Sequence, residues 1–148
     1  MSASTKLSLA VKALCFLAQS YPVPMSSSQI AAATGANASK LRRLLAMLAL
    51  EDIVKSTKGA SGGFILGRAP REFHLQEIYC AIEDRKAFHI DVHRKEGEEE
   101  TFAARFDDFF LGLFAEIQVE IEDKMRKISM ADILDRLGLT SGWPKEGD

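Results

Sequence analysis

A mainly helical fold carrying one small β-hairpin is what this sequence predicts, and three observations carry the prediction. Apolar residues recur at three- and four-residue spacing in separate segments along the chain. The pattern changes where Ile53-Val54 and Phe64-Ile65-Leu66 flank a glycine-rich run. From 102 to 127 the helical spacing holds without a break.

Residues 5–20 form the first predicted helix, with Leu7, Ala10, Leu14, Leu17 and Ala18 on one face. Tyr21-Pro22-Val23-Pro24 stops it, because proline has no amide donor and pushes the residue before it towards extended backbone. Ser26-Ser27-Ser28-Gln29 is a capping-box pattern with Ser26 as N-cap. It opens a short helix, Ile30 to Thr34, closed by Gly35. Asn37 caps the next helix, 38–50, striped by Leu41, Leu44, Leu45 and Leu48. The two apolar runs then pair as strands, and Arg68-Ala69-Pro70 leaves the hairpin.

A fourth helix runs from His74 to Glu83, with Leu75, Ile78, Tyr79 and Ile82 inward. Residues 84–101 are charged, include Glu98-Glu99-Glu100, and read as a loop. The long helix 102–127 presents Phe102, Phe106, Phe109, Phe110, Leu113, Phe114, Ile117, Ile121 and Met125 on one broad face. A last helix, Ser129 to Leu137, starts with a Ser-Met-Ala-Asp cap pattern. Beyond Gly138 lies the only tryptophan, Trp143. The expected organisation is a first domain over 1–83, a charged loop over 84–101, and the long and last helices over 102–148.

The chain has 148 residues, 47% hydrophobic and 27% charged, which suits one domain with a proper core and excludes a disordered chain. No apolar run reaches the roughly 18 residues that span a bilayer. The start, Met1-Ser2-Ala3-Ser4-Thr5-Lys6, has no signal-peptide pattern. Two cysteines cannot build a disulfide framework, and a reducing cytoplasm is expected. The net charge of −2 conceals an asymmetry: eight Lys/Arg against two acids up to Pro70, eleven against nineteen beyond. A basic front half on an acidic protein is an electrostatic footprint for a polyanion.

The run "KSTKGASGGFILGR", residues 55–68, concentrates that footprint: Gly59, Gly62 and Gly63 are fenced by Lys55, Lys58 and Arg68. A nucleotide-binding P-loop needs Gly-x-x-x-x-Gly-Lys-Ser/Thr opening a helix. Here Lys58 precedes the glycines and a strand follows, which disfavours nucleotide chemistry. A hairpin directly after a helix pair is instead a wing, able to approach a sugar-phosphate backbone through its glycines and basic residues. The pair itself, a short capped helix, a glycine turn and a second helix, has helix-turn-helix proportions. At 100° per residue Ser39, Arg43 and Ala46 lie opposite the leucine stripe, with Lys40 and Arg42 on its flanks. Small polar and basic groups on the outer face are what a DNA major groove admits. The predicted DNA-contacting set is therefore Ser39, Lys40, Arg42 and Arg43 on the helix and Lys55, Lys58, Gly59, Ser61 and Gly62 on the wing.

These stretches carry a family resemblance. "LAVKALCFLA" in the first helix, "IAAATGANASKLRRLLAMLALEDIVKSTKGASGGFILGRAP" through helix and wing, "LQEIYCAIE" and "SMADIL" resemble the Rrf2 family of winged helix-turn-helix transcriptional regulators. The likeness is strong over residues 7–83 and weaker beyond. The family usually has Arg at the position of Lys58 and Tyr at that of Phe64; both changes keep the charge and the aromatic body. The resemblance implies a homodimer whose long helices cross, bound to palindromic double-stranded DNA. The five phenylalanines within 102–127 agree independently, being too much apolar surface for a lone helix beside a small core.

One departure matters. Many relatives hold an iron–sulfur cluster through three cysteines in the loop corresponding to 84–103, and this stretch contains none. Where some relatives place an acidic or histidine ligand in the first helix, this chain has Ser8 and Lys12. Thiolates are the usual cluster ligands, so no cofactor is expected. Cys15 and Cys80 are candidate redox thiols, Cys15 with Lys12 near enough by spacing to favour a thiolate, and either can equally be an inert cysteine. His89, Asp91 and His93 form a compact set of metal-ligand types in a charged stretch that produces such sets by chance. No nucleophile–base–orienter set is visible, which argues against an enzyme. The alternative from another class is a protein-interaction module on a winged-helix scaffold that regulates a partner protein; the basic wing argues against it.

Overall fold

The structure is a computed structural model, and it describes residues 3–83 and 101–147. In chain order the elements are α1 (Ala3–Ser20), α2 (Ser27–Thr34), α3 (Ala38–Leu50), β1 (Val54–Thr57), β2 (Gly63–Leu66), α4 (Leu75–Ile82), α5 (Phe102–Arg126) and α6 (Met130–Arg136), with a single 3₁₀ turn at Pro70–Glu72. The charged stretch 84–100 lies outside the described residues.

The capping chemistry read from the sequence forms. Ser26 Oγ accepts the Gln29 amide at 3.1 Å while Gln29 Oε1 accepts the Ser26 amide at 2.8 Å. This box starts α2 at Ser27, three residues before the predicted Ile30, because the box and not the first apolar residue sets a helix start. The second box closes between Ser129 and Asp132 at the head of α6. The strands also differ from expectation. β1 omits Ile53 and runs on through Lys55, Ser56 and Thr57. A two-stranded hairpin has a solvated face, so its polar residues belong to the strand. Register pairs Val54 with Leu66 and Thr57 with Gly63.

One core joins these elements. Leu14 and Leu17 of α1, Leu41, Leu45 and Leu48 of α3, Ile53, Leu66, Phe73, Ile78 and Ile82 are all buried, and Met130 and Leu134 of α6 complete the cluster. α6 is fastened by backbone bonds across to α4: the Leu75 amide donates to Ile128 O at 2.9 Å, and the Met130 amide to Phe73 O at 3.0 Å. α5 is different. In its 25 residues only Ala104, Gln118 and Met125 are buried, while Phe102 is 74%, Phe106 46% and Phe109 62% exposed.

Candidate nucleic-acid interface

The outer face of α3 is prepared by its cap and its stripe. Asn37 Oδ1 accepts the amides of Ser39 at 2.9 Å and Lys40 at 3.1 Å, so the first turn of α3 is pinned. Leu41, Leu44, Leu45 and Leu48 are held inward at 3% exposure or less. Ser39, Lys40, Arg42 and Arg43 are left on the exposed side, with Ala46 between the turns. α2 packs behind α3, and the connection turns at Gly35, which sits at φ 71°.

The wing is braced at its tip. Gly59 takes φ 106°, a backbone region that costs glycine little, and its carbonyl accepts the Gly62 amide at 3.0 Å. Thr57 Oγ1 accepts the Gly63 amide at 2.9 Å and lies 3.2 Å from the Gly63 carbonyl as donor. Any side chain at Gly63 would overlap the Met25 backbone. That close approach lets Met25 pair with Phe64 through two backbone bonds of 3.0 and 2.8 Å, adding a rung beside β2. The segment leading into α2 is thereby tied to the wing. Lys55, Lys58, Gly59 and Ser61 are exposed and Gly62 half-buried.

The cations divide into two groups. Among the described residues Lys40, Arg42, Arg43, Lys55 and Lys58 have no ion-pair partner. Arg68, which the sequence sets in the same basic fence, is consumed internally. It meets Glu77 at 2.7 Å, donates to the Glu72 carbonyl at 2.8 Å, and lies over the Phe73 ring. The first group is not neutralised by any described carboxylate.

Sequence reasoning missed three residues here. Met25 carries the wing–helix pairing; its signal was its place just before an N-cap, where a hydrophobic staple residue belongs. Thr57 braces the glycines, and nothing local announces that. Lys12 of α1 lines a cleft of about 470 Å³ with Asn37 and Lys40, a long-range juxtaposition no spacing reveals.

The thiols separate. Cys15 is buried, and burial pushes its thiol up from the ordinary value, away from thiolate; the exposed Lys12 does not reverse this. Cys80 is exposed on α4, with Gln76 Nε2 donating to its Sγ at 3.0 Å. His89, Asp91 and His93 lie outside the described residues. Among the described residues no three His, Cys, Asp or Glu side chains form a group able to hold a metal. Nor is any described helix long and apolar enough to cross a membrane.

A helix pair whose second helix has an exposed basic face, followed by a glycine-tipped hairpin tied to it, defines a winged helix-turn-helix protein. The model of the Rrf2 family, described as iron-dependent transcriptional regulators, matches residues 3–136, and the chain belongs to that family of transcriptional regulators. It is 28% identical over 139 residues to the HTH-type transcriptional regulator ORF2 of Azotobacter vinelandii, covering 92% of this chain and 80% of that one. It is 26% identical over 142 residues to the HTH-type transcriptional regulator IscR of Sodalis glossinidius, covering 84% and 81%. The solved structure of T. potens IscR is similar with a TM-score of 0.68 and 28% identity, over 93% of this chain and 88% of that one.

Proposed function

We propose that the protein is a homodimeric, sequence-specific DNA-binding regulator that works without an iron–sulfur cluster. The observation that carries the DNA-binding part of this reading is the set of five cations on α3 and the wing that have no ion-pair partner among the described residues, in a chain whose net charge is negative. In this role Arg43 and Arg42 face base edges and the groove rim, Ser39 and Lys40 hold phosphates at the start of α3, and Lys55 and Lys58 hold the backbone beyond, with the Gly59–Gly63 turn close against it.

The apolar front of α5 supports a dimer, since a second copy is the commonest way to bury such a face. The chain also offers a receptor for it: an open apolar groove of about 690 Å³ between α1 and α6, lined by Leu7, Val11, Phe16, Ile133 and Leu137. Two copies related by a two-fold axis can each seat α5 in the other's groove, and a palindromic operator mirrors that symmetry.

The residues present do not fit a cluster of the usual kind, which takes four ligands, mostly thiolates. The whole sequence supplies two cysteines, none of them between 84 and 103. One is buried and held towards its protonated form, and the other sits on a different helix. Protein purified without oxygen is expected to be colourless and free of iron and sulfide; stoichiometric iron overturns this part.

The deciding experiment selects bound fragments from the source genome, then measures binding against salt. Lys58→Ala should weaken all sequences alike and reduce the salt slope by about one. Arg43→Ala should cost about 1–3 kcal/mol and relax base preference at one position of each half-site. Wild-type selectivity that survives both changes would show that the DNA face lies elsewhere.

A further inference from the structure

The chain beyond α6 does not run away from the body. It turns at Gly138 and comes back to the end of α1. There the Gly142 amide donates to the Ala18 carbonyl at 2.9 Å, with Ser141 Oγ at 3.5 Å from the same oxygen. Ala18 lies in the last turn of α1, where carbonyls have no partner within the helix, so the returning segment supplies one. The Trp143 ring stacks on Tyr21, with centroids 4.3 Å apart and planes tilted by 33°. A side chain at Gly142 would overlap the Tyr21 carbonyl, so the contact is backbone-tight. Further on, Glu146 meets Arg71 at 3.0 Å, on the 3₁₀ turn just past the wing.

The position of Tyr21 gives this strap a consequence. Tyr21 closes α1 and stands four residues before Met25, whose backbone holds both the entry to α2 and strand β2 of the wing. The strap begins on α6, which follows α5 after three residues. It therefore links the α5–α6 unit to the joint from which the reader helices hang. α6 anchors itself through Met130 and Leu134, both buried in the core, while Leu139, Trp143 and Tyr21 pack against the edge of that core, so the strap adds to a core that α6 already enters. In a dimer joined through α5, any tilt between α5–α6 and the reader helices changes the separation of the two half-sites.

We infer that the strap is a positioning device: Trp143 on Tyr21 fixes the pose of α2–α3 and the wing against α5–α6, and so sets the half-site spacing that the dimer accepts. This rests on the dimeric DNA-binding reading. Trp143 touches no DNA in it; it acts through Tyr21. Joining two binding units typically gains about 10²–10⁴-fold in affinity when the geometry lets both engage together, and the strap governs how much of that gain is realised.

The test compares full-length wild type, Trp143→Ala, Trp143→Phe and Gly142→Ala. The probes are the operator selected with wild type, the same operator with its half-sites moved by one or two base pairs, and a duplex with a single half-site. Trp143→Ala should bind the single half-site as wild type does. On the operator it should lose about tenfold of the linked gain, and the preference for native over shifted spacing should collapse. Trp143→Phe keeps a ring on Tyr21 and should restore the preference. Equal losses on single and paired half-sites would reduce the strap to a stability element and overturn the inference, as would an unchanged spacing preference. If Trp143→Ala does not fold, Gly142→Ala, which lifts the strap but retains the indole, is read by the same criteria; failure of both to fold also overturns it. Wild type that selects no DNA sinks the DNA-binding reading and the strap's role together, whereas wild type that selects DNA and is matched by Trp143→Ala sinks the strap alone.

Discussion

α3 and α5 are written in the same apolar periodicity and end in opposite conditions. α3 puts five leucines into 13 residues and buries four of them, Leu41, Leu44, Leu45 and Leu48, leaving only the terminal Leu50 exposed. α5 carries a broader apolar face over 25 residues and buries only Ala104, Gln118 and Met125. On a helical wheel those three lie roughly 140° round from the sector of Phe102, Phe106, Phe109, Leu113 and Ile117, at 100° per residue. α5 thus packs its back edge on α4 and leaves its aromatic front exposed. A periodic pattern states that a face will be buried. It does not state in which molecule.

The comparison breaks most visibly at Phe106. This ring is 46% exposed, so its loss should leave the fold of one chain intact. It packs at 4.3 Å from Phe110 in the middle of the aromatic run, so a charge there should poison the front face. Phe106→Glu is expected to sediment as a monomer at micromolar concentration with an unchanged far-ultraviolet circular dichroism spectrum. Operator affinity should fall by about 10²–10⁴. A wild type that is itself monomeric, or a dimeric Phe106→Glu, removes the two-fold reading.

The matching change in α3 tests the other half. Leu45 is fully buried in the common core. Leu45→Ala should cost about 2–5 kcal/mol, the transfer and cavity terms of a core leucine, read as a lower urea midpoint with little change in slope. Under conditions where it stays folded, its association state should match wild type. A loss below about 1 kcal/mol would mean that the packing around α3 is looser than the structure has it.

Much of the first of these regions was legible in the sequence because its signals are local. Ser26 and Gln29, Asn37, Gly35 and Ser129 with Asp132 each act within four residues, and each forms. The exposed set Ser39, Lys40, Arg42 and Arg43 follows from the leucine stripe by simple rotation. What escaped is what depends on distant chain. Arg68 belongs to the basic fence by sequence and to Glu77 by structure. Met25 meets Phe64 across 39 positions, and Ser141 meets Ala18 across 123. Trp143 stood out in the sequence only for being the sole tryptophan, since nothing near it in the chain names Tyr21 as its partner. Cys15 shows the same limit in chemical form: Lys12 at helical spacing favours a thiolate, while the burial that raises the thiol comes from the assembled core.

The smallest expected effect lies at Asp132, at the head of α6 and outside both regions. Asp132 is the third residue of α6, and its carboxylate accepts the Ser129 amide at 2.9 Å while its own amide donates to Ser129 Oγ at 3.0 Å. The Ser129 backbone amide, as the largest cause, and the Ser129 side chain hold its carboxyl below the ordinary value, and Arg136 one turn on adds a smaller pull. A depressed folded value means that the unfolded chain binds more protons in the window between the two values, so stability rises with pH there. The contribution is complete at neutral pH, above the unfolded value of about 4, and fades as pH falls through the folded value. Asp132→Asn retains a side-chain acceptor for the Ser129 amide and loses the charge. It should therefore lower the urea midpoint slightly at pH 7 and match wild type once both are measured in acid below the folded value. The same substitution should leave sedimentation and half-site binding unchanged, because the cap faces neither α5's aromatic front nor the reader helix. A gap between the two proteins that persists or widens in acid would show that the amide geometry, not the carboxylate charge, supports the head of α6.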